Sequence, residues 1–105
     1  MARWDSSVRD FSFQDLSYAS MVGLRLNQAC MKGAILYCVD LSVAILEGAD
    51  FTGASLERAI LTHADLRGAD FTGADLTGAD FTGADLRGSV FIGANLENVV
   101  GMDTA

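Results

Sequence analysis

From Phe11 to Leu96 every fifth residue is Phe, Leu or Met, and no insertion breaks the register over eighteen units. The clearest three are Ala69-Asp70-Phe71-Thr72-Gly73, Ala74-Asp75-Leu76-Thr77-Gly78 and Ala79-Asp80-Phe81-Thr82-Gly83, which repeat almost letter for letter. A period of five rules out an ordinary amphipathic helix: around 3.6 residues per turn it scatters the apolar positions over every face. Two residues before each central Phe, Leu or Met stands Ala in 13 of 16 units, the exceptions being Leu24, Val39 and Ser89. Positions two apart lie on the same side of an extended chain, so a large and a small apolar group point inward together. The chain must then turn once per unit to bring the next pair inward. Ten units carry Gly two residues after the centre, as at Gly68, Gly73 and Gly78, which suits the positive-φ position of a type II turn. Tyr18, Val43 and Arg58 occupy the same place and resist positive φ, so those corners are expected to use another turn geometry.

The tandem A-D/N-L/F-x-x pattern resembles the pentapeptide-repeat family over about nine-tenths of the chain. That resemblance implies an all-β fold, a right-handed quadrilateral β-solenoid of about 4.5 coils with four pentapeptides per coil and the centres and alanines inside. Residues twenty apart should then stack. Phe11, Met31, Phe51, Phe71 and Phe91 form one column, and Leu16, Leu36, Leu56, Leu76 and Leu96 a second. Leu26, Leu46, Leu66 and Leu86 form a third, and Met21, Leu41, Leu61 and Phe81 the last. The gathering of Phe into one column is not a property of the five-residue period, and it supports a coil of twenty. Residues 1–10, with Trp4 and Val8, are expected to cap the first coil, 11–98 to form the solenoid, and 99–105 a C-terminal cap or tail.

At 105 residues the chain is one domain. Its net charge of −7 argues against direct contact with nucleic acid. No apolar run is long enough for a membrane span and the first residues form no signal peptide, so a soluble, cytoplasmic protein is expected. Cys30 and Cys38 fall on different faces in this register and are expected to stay reduced. His63, the single histidine, sits at a corner, and no Cys/His cluster has metal spacing. A filled interior offers no substrate cavity, so no enzyme activity, cofactor or metal is expected.

Function must then lie on the outside. Asp15, Glu57, Asp75 and Glu97 share a face without Lys or Arg at its strand positions, a candidate acidic contact surface. Ile35, Tyr37 and Ile45 project outward and form a candidate apolar patch. Asp65, Arg67, Asp85 and Arg87 share a face and are expected to pair between coils, while Thr52 with Thr72 and Thr62 with Thr82 are expected to form hydroxyl ladders. Val90, Ile92, Val99, Val100 and Met102 gather at the last coil, a candidate homodimer contact through the C-terminal end. These features describe a rigid, non-catalytic scaffold for a protein partner whose identity they do not specify. The family resemblance implies an alternative as well: an acidic rod that imitates duplex DNA and binds a type II topoisomerase, DNA gyrase, to inhibit or protect it.

Overall fold

A computed structural model describes residues 9–102. The proposed cap residues Trp4 and Val8 lie outside the described residues. The repeating local element is a tight turn. In each unit the Ala-position N–H donates to the carbonyl of the preceding centre, as from Ala74 to Phe71 at 3.0 Å. The residue two after the centre has positive φ at every corner. Ten are glycines between 65° and 75°, and the other eight lie between 56° and 65°: Phe13, Tyr18, Gln28, Cys38, Val43, Arg58, His63 and Asn98. Tyr18, Val43 and Arg58 therefore do not adopt another turn. A corner stacked directly on its neighbour has one shape available to it. The backbone cost of about 1–2 kcal/mol for an L-residue is overridden by the hydrogen bonds and packing of the stack.

Fifteen parallel bridges join residues exactly twenty apart, from Asp10 with Cys30 to Asp80 with Val100. The coil is thus twenty residues long and has four sides. Side one follows the Phe11 column, side two the Leu16 column, side three the Met21 column and side four the Leu26 column. Each side contributes a single bridged residue per coil, because only a few residues separate one corner from the next. The β character lies in four ladders of isolated bridges rather than in continuous strands.

Centres and alanines fill the interior, and among the described residues no polar or charged residue is buried with them. The rings of Phe51 and Phe71 stack at 4.8 Å with planes 5° apart, and those of Phe71 and Phe91 at 5.1 Å. Phe81 approaches edge-on from side three, 5.8 Å from Phe71 and 6.1 Å from Phe91. Leu36, Leu56 and Leu76 are sealed, as are Leu46 and Leu66. Leu96 departs from the core expectation: it is 38% exposed. It heads its column in the uppermost coil, where no described residue packs over it, and Phe91 is half-buried for the same reason.

Candidate interaction surface

A count of backbone donors explains the outward Asp. Take Asp70 to Ala74. The Asp70 N–H reaches down to the Ala49 carbonyl, the Phe71 N–H up to Val90, and the Gly73 N–H up to Ile92. The Ala74 N–H closes the turn. This leaves the N–H of Thr72, one after the centre, with no backbone acceptor. Asp70 Oδ1 accepts it at 2.9 Å and also accepts the Thr72 hydroxyl. The same bracket recurs wherever Asp or Asn precedes a centre: at Asp10, Asp15, Asp40, Asp50, Asp65, Asp75, Asp80, Asp85 and Asn95. The Asp spacing is therefore a structural device that satisfies a donor the stack cannot reach. The threonine hydroxyls do not form ladders between coils. Those of Thr72, Thr77 and Thr82 are turned back onto the Asp of their own unit.

At several of these units the bonds favour the charged form of the carboxylate. The Thr72 hydroxyl and N–H lower the pKa of Asp70, as Thr82 lowers that of Asp80. The Ser17 N–H lowers that of Asp15, chiefly, and the Ser12 hydroxyl that of Asp10. Hydrogen bonds from Arg87 bring Asp85 down to about 2. Except at Asp65 and Asp85, whose second oxygens are taken by arginines, the bonded Asp keeps its second oxygen for the outside.

The four sides differ in what remains uncommitted. On side four the Arg67 guanidinium grips Asp65 through two bonds at 2.8 and 2.7 Å and lies 3.7 Å from Glu47 one coil below. Arg87 grips Asp85 in the same way. The expected pairing of these four residues between coils is replaced by pairing within each unit, since a bridge residue and the residue two along it project side by side. The coil-to-coil contact is instead that of Arg67 with Glu47. Side two carries Asp15, Glu57, Asp75 and Glu97 along its height, and Ile35 and Tyr37 stand on the same side. Two candidate surfaces thus coincide. Ile45 does not join them; it lies on side four, half-buried. Ile35 is 43% exposed and Tyr18 71%, with the Tyr18 ring edge-on to Tyr37 at 5.6 Å. Tyr18 was not among the sequence candidates, since it occupies a corner where Gly would be usual, and only the i, i+20 register places it beneath Cys38 and so beside Tyr37.

Corner side chains lean upward onto the next corner. A Cβ added at Gly33 would run into the Phe13 ring, one at Gly48 into the Gln28 amide, and one at Gly83 into the His63 imidazole. Cys30 and Cys38 are free thiols. Among the described residues no group of His, Cys, Asp or Glu could hold a metal ion, and no helix is long and apolar enough to cross a membrane. At the upper coil Ile92 is 72% exposed and Val100 also faces outward, whereas Val99 and Met102 pack against the core and Val90 is half-buried.

The sequence profile of pentapeptide repeats matches residues 34–73 and 69–100. Among solved structures, a pentapeptide repeat protein of the Arabidopsis thaliana thylakoid lumen is 36% identical; the match covers 93% of this chain and 70% of that one, with a TM-score of 0.62. A pentapeptide repeat protein from Nostoc PCC 7120 is 32% identical over 80% of this chain and 65% of its own, with a TM-score of 0.65. QnrB1, a plasmid-mediated fluoroquinolone resistance protein, shares the fold at 22% identity, over 86% of this chain and 57% of its own, with a TM-score of 0.57. A search of curated proteins found no match. A period of five held by parallel bridges twenty residues apart, together with these matches, makes the chain a member of the pentapeptide-repeat family.

Proposed function

We propose that this right-handed quadrilateral solenoid is a non-catalytic, cytoplasmic scaffold that presents its sides to another protein. The observation that carries this reading is the division of labour among residues. Inward positions and corners are committed to the stack, so the outward residues of each side are the part free to differ, and they do differ from side to side. A photo-crosslinking residue placed in turn at Lys32, Tyr37, Thr62 and Asn27 samples sides one to four. Discrete adducts from one side in the native lysate are expected. Equal, featureless labelling from all four would count against a specific partner.

A second reading, the acidic DNA mimic directed at gyrase, draws on the net charge of −7 and the unpaired acids of side two. It predicts inhibition of supercoiling that weakens with added salt and disappears when Asp15, Glu57, Asp75 and Glu97 are neutralised. The absence of any effect at high micromolar protein would remove it. In either reading we propose that two copies meet at the upper coil, where Val90, Ile92, Val99, Val100 and Met102 gather. There the N–H groups of Gly88, Phe91, Gly93, Leu96 and Asn98 have no partner among the described residues. Light scattering of the parent and of the Val90→Lys, Ile92→Lys variant tests it, with a dimer and a monomer as the expected results.

A further inference from the structure

Side two changes character along the stack axis. Its lower part is apolar at Ile35 and the Tyr18–Tyr37 pair, with the single acid Asp15 beneath Ile35 in the first coil. Its upper part is acidic, formed by Glu57, Asp75 and Glu97. Asp75 is bound to Thr77 through one oxygen. The Glu57 carbonyl accepts the Cys38 N–H, but its carboxylate Oε1 is shut off from solvent without a donor. An oxygen in that position is unfavourably placed, so turning it toward a cation outside sacrifices no existing bond. The Glu97 carboxylate is exposed and also makes no ion pair. Arg58, the one cation on this side among the described residues, stands at a corner with its Cγ close to Gly78, and it forms no ion pair with Glu57.

No other side combines these properties. Side four cancels its acids with Arg67 and Arg87. Side one holds Lys32 among its Asp residues. Side three is apolar at Val22, Val43 and Ile60, but its acids among the described residues are only the bracketed Asp40 and Asp80, with no glutamate beside them.

Building on the scaffold reading, we infer that side two docks an extended basic segment of another protein, with an aromatic or aliphatic pair at one end seated on Tyr18, Tyr37 and Ile35 and its cations facing Glu57, Asp75 and Glu97. Three coils separate Ile35 from Asn95, about 14 Å at about 4.8 Å per coil. An extended segment of roughly four or five residues spans that distance. Tyr is among the residues that most often anchor an interface, and complementary charge fixes the register of the rest.

The probe is a synthetic peptide of about eight residues, Leu-Phe at one end and three lysines alternating with glycine toward the other. On the isotopically labelled protein, amide shifts are expected along side two alone, with binding that weakens as salt is added. Exchanging Leu-Phe for Gly-Gly, or the lysines for glutamates, should weaken binding at least about fivefold, as should Glu57→Gln with Glu97→Gln in the protein. The carboxamides keep size and leave the Asp brackets intact, so a loss of affinity in that variant cannot be ascribed to misfolding. Shifts on another side, equal binding of the Gly-Gly peptide, or no binding at millimolar peptide would each overturn the inference. None of these outcomes bears on the four-sided crosslinks, which test the scaffold reading separately.

Discussion

Sides two and four are built alike inside and oppositely outside. Both stack leucines on twenty-residue spacing, both hang from parallel bridges, and both carry Asp before several centres. In the two upper coils of side four the residue after the centre is Arg67 or Arg87, which folds back onto the Asp two positions earlier. In the three upper coils of side two it is Glu57, Thr77 or Glu97, and the acid stays uncompensated. One position per unit therefore decides whether a side is neutral or negative. Total charge says little about where a charged partner could bind; pairing within the unit says more.

The largest expected effect removes the contrast. Leu76→Asp on side two and Leu66→Asp on side four each place an unpaired charge in a sealed column, costing several kcal/mol of a total of roughly 5–15. Both variants should lose most of their thermal stability. If one folded normally, the two sides would not share a common interior.

Corners come next. Gly48→Ala on side four and Gly78→Ala on side two force an L-residue to φ near +70°, for about 1–2 kcal/mol each. Gly48→Ala must also displace the Gln28 amide, whereas at Gly78 the nearest atom is Arg58 Cγ at 3.5 Å. Denaturant midpoints should fall for both, and further for Gly48→Ala.

The bracket itself separates the sides more gently. Asp75→Ala removes two hydrogen bonds to Thr77, a loss of about 1–2 kcal/mol. Asp75→Asn should restore most of it, because Asn95 already holds the Glu97 N–H at 3.0 Å. Urea melts of the three proteins decide the matter, and a harmless Asp75→Ala would make the bracket ornamental.

Acid titration gives the smallest effect. The folded-state pKa of Asp85 lies near 2, below its ordinary 3.8. Its contribution to stability is therefore complete above about 3.8 and is lost as pH falls through about 2. Carboxyl NMR should place its midpoint there, and Arg87→Gln should move it up toward 3.8. Asp15 on side two, lowered by Ser17 alone, should be indifferent to every Arg substitution.

The coil of twenty was legible because column identity carries information beyond the five-residue period. Phe51, Phe71 and Phe91 have no reason to fall together unless they stack. The corner at Val43 was misread because local propensity disfavours its φ of 62°, while the coil above and below dictates it. Asp75 was taken for a free surface acid because sequence spacing shows which way a side chain leaves the chain but not that its oxygen returns to the N–H two residues on. Asp65, Arg67, Asp85 and Arg87 were expected to pair from coil to coil for a similar reason: the register shows which residues share a face but not which carboxylate the bidentate Arg fork closes on. Which side forms the contact was not legible either. Ile35, Tyr37 and Ile45 read as one patch until two corners, at Cys38 and Val43, were placed between Ile35 and Ile45.

The Asp bracket has a consequence for evolution and for engineering alike. If either Asp or Asn can hold the orphan N–H, then electric charge is an adjustable trim on a shape that does not change. A lineage could drift from a strongly acidic prism to a neutral one, one amide at a time, without passing through an unfolded ancestor. The same path can be walked at the bench: a graded set of otherwise identical prisms, stepped from acidic to neutral by successive Asp→Asn exchanges, would separate partners that recognise form from those that recognise field.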